Sequence, residues 1–120
     1  MPWWLTALNT LAALTSCGFG MAAVAQPALI APSADGNAPS RFYPAMYATR
    51  AVPLGLAVGV TVWWAPTSAF LLPLLTVATL AQAGDIIIGT AHRLPGMVAG
   101  AVFATLCHGA AVAASLHALL

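Results

Sequence analysis

Four long stretches of this chain carry at most one charged side chain each, and this limits the fold more than any other feature. Three basic and two acidic residues are the only formal charges among 120 residues, a charged share of 4% where soluble domains average about 25%. A water-soluble fold must cover its surface with polar groups, because large exposed apolar patches drive association. We therefore expect lipid, and not water, to surround most of the chain.

Each stretch is long enough to cross a bilayer, since a spanning helix needs about 20 mostly apolar residues. Continuous runs rich in Ala and Leu favour helices, whereas a membrane β-barrel needs alternating strands with a polar lumen face. The sequence predicts one all-α membrane domain, a four-helix transmembrane bundle with up-down-up-down order. The predicted spans cover 3–25, 42–64, 68–90 and 95–120, and the segment 26–41 is predicted to be a loop.

The arginines outside the predicted spans indicate the orientation of the bundle. Arg41 and Arg93 lie in the first and third connections, whereas the second connection and both termini carry no charged side chain. Cytoplasmic loops carry an excess of Lys and Arg. The segments 26–41 and 90–95 are therefore predicted to be cytoplasmic, in the cytoplasmic membrane if the protein is bacterial, and both termini are predicted to lie outside.

The first span has two features of a cleaved targeting segment. Ala23–Ala25 has the small-x-small form of a signal-peptidase site, and Leu14–Cys17 resembles a lipoprotein box. Signal peptides begin with positive charge, however, and Met1–Trp4 has no positive side chain. We expect the first span to be retained.

Composition also argues against several partners. Three scattered arginines form no basic patch, so nucleic-acid binding is not expected. Cys17 and Cys107 lie in apolar runs without a CxxC pair or a Cys/His cluster at zinc spacing, so neither a metal site nor a cofactor is predicted. The GxxxG patterns that begin at Gly55 and Gly96 favour tight packing inside the bundle and leave association into a homo-oligomer open.

Three ionisable residues lie well inside the predicted spans and away from their ends, where each costs about 2.5–3.5 kcal/mol and is by default a functional candidate. They are Arg50, Asp85 and His108. The helix rise places Arg50 and Asp85 about 12 Å from the same face of the bilayer. Opposite charges at equal depth on neighbouring antiparallel helices lower each other's insertion cost, so the sequence predicts an ion pair.

Further polar residues lie on the same helix faces as these charges. Tyr43 and Tyr47 share a face with Arg50, and Gln82 shares a face with Asp85. Together with His108 they predict a polar-tipped pocket in the bundle for a lipophilic small molecule. The predicted catalytic residues are Asp85 and His108, and the predicted ligand-binding residues are Tyr43, Tyr47, Arg50 and Gln82.

A structural interpretation of these residues stays open beside the functional one. The Arg50–Asp85 pair would then only fix the register of two helices, as polar groups do in membrane bundles. His108 would be an interior histidine with its hydrogen bonds satisfied. Asn9 is expected to form a hydrogen bond between helices.

The chain resembles a family of small four-helix integral membrane proteins catalogued as a domain of unknown function. The resemblance rests on Arg50-x-x-x-x-Gly55, on Gly84-Asp85 and on His108-Gly109-x-Ala111. An acidic residue usually follows the arginine in that family, and here the position holds Ala51. The resemblance implies the four-helix membrane architecture and not a reaction.

Three functions of different classes follow from the predicted site. The first is a membrane protein that binds a lipophilic small molecule without catalysis. The second is a small intramembrane isomerase or cyclase in a biosynthetic pathway, with Asp85 and His108 in acid–base roles and Arg50 and Tyr47 holding an oxyanion or carboxylate. The third is a small multidrug-type transporter, which is disfavoured because such transporters carry an essential acidic residue in the first helix, where this chain has Asn9.

Overall fold

The computed structural model describes residues 1–29 and 38–120, and within them the chain is all-helical without strands. The predicted all-α, four-helix class is therefore confirmed. In chain order, the elements are α1 (Trp3–Ala25), a 3₁₀ turn (Pro27–Leu29), α2 (Ala38–Trp64), α3 (Leu71–Ala91) and α4 (Pro95–His117). Half of the predicted 26–41 loop, residues 30–37, lies outside the described residues.

All four helices are long and apolar enough to cross a membrane. They have 21 to 27 residues, and at about 1.5 Å per residue the shortest exceeds the roughly 30 Å thickness of a bilayer's hydrocarbon core. Large apolar side chains such as Leu80, Ile87 and Leu106 are about two-thirds exposed on the outer faces. Such a surface fits contact with acyl chains, since soluble proteins rarely expose apolar patches of this extent. The side on which each loop lies stays a prediction.

Three of the four helices begin or end at residues other than those predicted. α1 has the predicted bounds, but α2 begins four residues early, at Ala38, with Pro39 in its first turn. α3 begins three residues late, at Leu71, which places Pro73 in its first turn. A first-turn residue has no intrahelical acceptor for its N–H, so proline costs little there. α4 ends at His117, and the last three residues form a turn.

The turn between α3 and α4 is a compact C-terminal helix cap. The backbone N–H of Leu94 donates to the Gly89 carbonyl (2.8 Å), and that of Arg93 donates to the Thr90 carbonyl (3.2 Å). Arg93 has a positive φ of 57°. This is the Schellman pattern, which satisfies carbonyls at the end of a helix and requires one left-handed residue. Pro95 then opens α4, where its fixed φ suits the first helical position.

The interior of the bundle is made mostly of small side chains, and the larger apolar ones point outward. Seven alanines are less than 5% exposed: Ala12, Ala13, Ala23, Ala78, Ala101, Ala104 and Ala111. Lipid tails are as apolar as leucine, so helices in lipid associate through close packing of small residues and not through burial of large ones. Leu75, Val58 and Val62 are among the larger apolar side chains that are fully buried in the core.

The four helices do not contact one another equally. α1 packs most extensively against α2, and α3 against α4, while α1 also packs along α4. α2 and α3 make the least contact of the four neighbouring pairs. α1 and α2 are antiparallel, since Ala13 lies near Gly59 and Gly20 lies near Ala48. The predicted up-down-up-down order requires such pairing, and the order itself stays a prediction.

Gly55 marks the closest approach of α1 and α2. A Cβ atom built at this position would lie 2.6 Å from Cys17 Sγ and 2.8 Å from the carbonyl oxygen of Ala13. The second atom belongs to the backbone of α1, so it yields only if the helices move apart. The GxxxG pattern on α2 thus serves packing inside the bundle, as predicted.

We predict that Gly55→Ala lowers the free energy of unfolding by about 1–3 kcal/mol, the usual cost of overpacking a tight contact. The measurement is reversible unfolding of the purified protein by SDS titration in detergent micelles. Gly84→Ala is the matched control, because a Cβ at Gly84 meets no heavy atom within 4 Å. In that variant the helix propensity of alanine raises stability by up to about 1 kcal/mol. Equal stability of Gly55→Ala and wild type would contradict the close approach.

Candidate functional site

An ion pair joins α2 to α3. Arg50 Nη2 lies 2.5 Å from Asp85 Oδ1, so the pair predicted from the sequence is confirmed. The Asp85 side chain is 4% exposed, whereas that of Arg50 is 42% exposed. The carboxylate is therefore inside the bundle and the guanidinium lies at its surface. The guanidinium carbon is also 5.5 Å from the centre of the Tyr47 ring, within the range of a cation–π contact.

A second polar contact joins α1 to α4 in the interior. Asn9 and His108 are 0% and 2% exposed, and Asn9 Oδ1 lies 2.7 Å from His108 Nδ1. Asn9 Nδ2 donates to the carbonyl oxygens of Leu5 (2.8 Å) and Cys107 (3.1 Å). The predicted interhelical role of Asn9 is confirmed. His108 has at least one hydrogen bond in the interior, as its structural interpretation requires.

A third polar contact crosses the bundle diagonally. Gln82 Nε2 on α3 donates to Ser16 Oγ on α1 (2.7 Å), and both residues are buried. The backbones of α1 and α3 do not approach each other in the described part of the chain, so this contact depends on side chains alone. Gln82 and Asp85 lie one turn apart on α3, so this hydrogen bond and the ion pair are neighbours.

A small cavity brings four of the six predicted site residues together at the α2–α3 seam. Arg50, Gln82, Asp85 and His108 line it with Ser16, and its remaining wall is apolar: Ala51, Leu54, Gly55, Val58, Ala78 and Ala81. Its volume is about 10 Å³, which is room for about one water molecule. A cation, a carboxylate, an amide and an imidazole thus border one water-sized space.

The two predicted tyrosines have different positions. Tyr47 contacts Arg50 and lines a second cavity of about 10 Å³, which shares Ser16 and Gln82 with the first. The Gln82–Ser16 hydrogen bond therefore lies between the two cavities. Tyr43 is 72% exposed, and its ring packs edge-on against Phe42 at the outer surface. The structure does not bring Tyr43 to the other five residues, because it lies near the start of α2, about one helical turn beyond Tyr47.

Ser16 is the site residue that sequence reasoning missed. Thr6, Asn9 and Ser16 are the three buried polar residues of α1, and their spacing of three and seven places them on one helix face. A serine in an apolar helix is a weak signal by itself. The shared face was the feature that could have identified it.

In the part of the chain that the structure describes, the site provides charged and hydrogen-bonding side chains and not the set of ligands that a metal ion needs. Among the described residues, no three His, Cys, Asp or Glu side chains lie close enough together to hold a metal ion. Arg50 supplies N–H donors at the mouth of the cavity, and Asp85 supplies acceptor oxygens inside it. Cys17 and Cys107 are buried free thiols.

Comparisons of the sequence with protein-family models and with curated proteins, and of the structure with solved structures, found no match. The resemblance to the small four-helix family of unknown function therefore stays a prediction. Function has to be argued from the site itself.

We predict that Arg50 and Asp85 are energetically coupled. Arg50→Ala and Asp85→Ala each lower stability, because each leaves a charged partner unpaired. The double variant is expected to be more stable than the sum of the two losses implies, by about 0.5–3 kcal/mol. The measurement is a double-mutant cycle from SDS titrations of the four proteins.

The control cycle combines Asp85→Ala with Arg93→Ala. Arg93 is exposed in the α3–α4 turn and makes no contact with Asp85, so the two losses should add. Strict additivity of Arg50→Ala with Asp85→Ala would show that the pair contributes nothing to the fold.

Proposed function

We propose that this chain is a multi-pass integral membrane protein that binds the polar end of a lipophilic small molecule at the α2–α3 seam. The observation that carries the proposal is the shared cavity of Arg50, Gln82, Asp85 and His108. Four costly polar groups line one space in a chain that has very few of them. Fixing helix register would need only one such pair.

Access to this cavity is from the side of the bundle. α2 and α3 make the least backbone contact of the neighbouring helices, so this seam is the thinnest part of the bundle wall. Arg50 is about half exposed at the seam, while Asp85, Gln82 and His108 are buried behind it. A molecule dissolved in the bilayer would therefore meet the guanidinium first and the imidazole last.

Size and charge limit the polar end that fits. Arg50 and Asp85 neutralise each other, so a neutral group is favoured over an ion. The cavity has room for about one water molecule, which matches a hydroxyl or carbonyl oxygen and not a ring. The apolar part of the ligand would stay outside, along the apolar side chains of the seam such as Leu54.

Acid–base catalysis is the second candidate function, and one observation favours it. Asp85 and His108, the two residues proposed for proton transfer, border the same cavity. An intramembrane isomerase or cyclase needs a base and an acid within reach of one bound group. In that case Asp85→Asn and His108→Ala would abolish turnover of a bound molecule while leaving its binding measurable.

The binding proposal is tested by photolabelling in lipid nanodiscs. The probes are a twelve-carbon alcohol and the matching methyl ketone, each carrying a diazirine close to the polar end. We predict labelling of seam residues such as Leu54 and Ala78, displaced by unlabelled dodecanol and not by dodecane. Mass spectrometry of peptides locates the label.

A variant that fills the cavity, and a matched control variant, make this test specific. Ala81→Leu places a larger side chain in the cavity wall and should reduce seam labelling at least tenfold. Ala83→Leu makes the same change on α3 away from the cavity and should leave labelling unchanged. Labelling spread evenly over all four helices, with no effect of Ala81→Leu, would refute the binding site.

A further inference from the structure

The amide of Asn9 has only one orientation that the surrounding atoms allow. Its Nδ2 lies 2.8 Å from the Leu5 carbonyl oxygen and 3.1 Å from the Cys107 carbonyl oxygen. Carbonyl oxygens only accept hydrogen bonds, so the NH₂ group must face them. The reverse orientation would place the amide oxygen against two other oxygens. Asn9 Oδ1 therefore faces His108 as an acceptor.

This orientation determines which nitrogen of His108 carries hydrogen. Nδ1 lies 2.7 Å from Asn9 Oδ1 and must donate to it. A neutral imidazole has one donor and one acceptor nitrogen, and neutrality is favoured here because burial of an unpaired charge is costly. Nε2 then keeps its lone pair. Within residues 1–29 and 38–120, the side-chain hydrogen bond of His108 is the one that Nδ1 forms with Asn9.

His108 lines the cavity and Asn9 holds its Nδ1 edge, so we infer that the Nε2 edge is the part of the ring that faces the cavity. His108 is 2% exposed and lines the space between α2 and α3, whereas Asn9, which holds the Nδ1 edge, does not line it. The carboxylate of Asp85 and the amide of Gln82, whose NH₂ is directed to Ser16, line the same cavity. Asp85 and the imidazole of His108 thus supply acceptors to the inner part of the cavity, and the donors of Arg50 lie at its mouth.

We propose that Asn9 is a positioning residue that holds His108 with hydrogen on Nδ1, so that Nε2 accepts a hydrogen bond from the ligand. The preferred ligand class is then a lipophilic alcohol, phenol or enol, whose O–H donates to Nε2, over a ketone or ether, which has no O–H to donate. This statement of ligand class rests on the proposed binding function. The tautomer of His108 does not, because it follows from contacts within the protein.

The tautomer is tested by NMR on the ¹⁵N-histidine-labelled protein in nanodiscs without ligand. Long-range ¹H–¹⁵N correlations distinguish the two tautomers, and His108→Gln assigns the His108 signals among the three histidines. We expect hydrogen on Nδ1 in the wild type and loss of this fixed state in Asn9→Leu. The control is Thr10→Val, on α1 next to Asn9. It removes the hydrogen bond that Trp63 Nε1 donates to Thr10 Oγ1 and should leave the tautomer unchanged. Hydrogen on Nε2 in the wild type would overturn the inference without any variant.

The ligand class is tested with the photolabelling alcohol and its methyl ether. We expect the alcohol to label the seam at about fivefold lower concentration than the ether, as one additional hydrogen bond allows. Asn9→Leu should remove that preference. Equal labelling by alcohol and ether would overturn the ligand class while leaving the binding site intact. Failure of every probe to label the seam would instead overturn the proposed function, and the tautomer result would stand.

Discussion

The ion pair between Arg50 and Asp85 connects the two neighbouring helices that contact each other least. α2 is held mainly by α1, and α3 mainly by α4, so the bundle consists of two tightly packed helix pairs. α1 and α4 close one side between these pairs through backbone proximity. On the other side, the 2.5 Å contact of Arg50 with Asp85 is the polar connection between α2 and α3. The cavity between α2 and α3, which both residues of the pair line, therefore depends on the distance at which the pair holds the two helices.

The apolar surroundings explain why the remaining polar groups face inward. A side chain that faces acyl chains finds no hydrogen-bond partner, so Asn9, Gln82 and His108 bond to other helices. Small residues make these contacts geometrically feasible. Because Gly55 and the buried alanines keep α1 and α2 close together, the bundle is narrow enough for the long side chain of Gln82 to reach Ser16 across it.

Much of the fold could be predicted from the sequence, because it depends on length and apolarity alone. The Arg50–Asp85 pair was also predictable, since the spans contain only one opposite charge for each to meet at similar depth. The helix ends were less predictable, because Pro39 and Pro73 are compatible with a loop as well as with a first helical turn. The diagonal Gln82–Ser16 contact depends on the relative rotation of two helices that are not neighbours, and helix periodicity gives no information on that rotation. Tyr43 shares a helix face with Arg50, but a face shared over two turns does not fix depth, and its ring lies at the outer surface.

The position of the cavity beside the weakest seam has a mechanical consequence. Moving α2 away from α3 separates few backbone contacts and one ion pair, whereas opening either side of α1 would disrupt tightly packed small residues. The Asn9–His108 and Gln82–Ser16 contacts join α1 to α4 and to α3 and involve no residue of α2, so neither has to break when α2 pivots on its contact with α1. The water-sized cavity can therefore widen while its inner acceptors keep their orientation. In the proposed complex, the hydroxyl oxygen of the ligand would then accept a hydrogen bond from Arg50 while its O–H donates to Nε2 of His108, which is already in place.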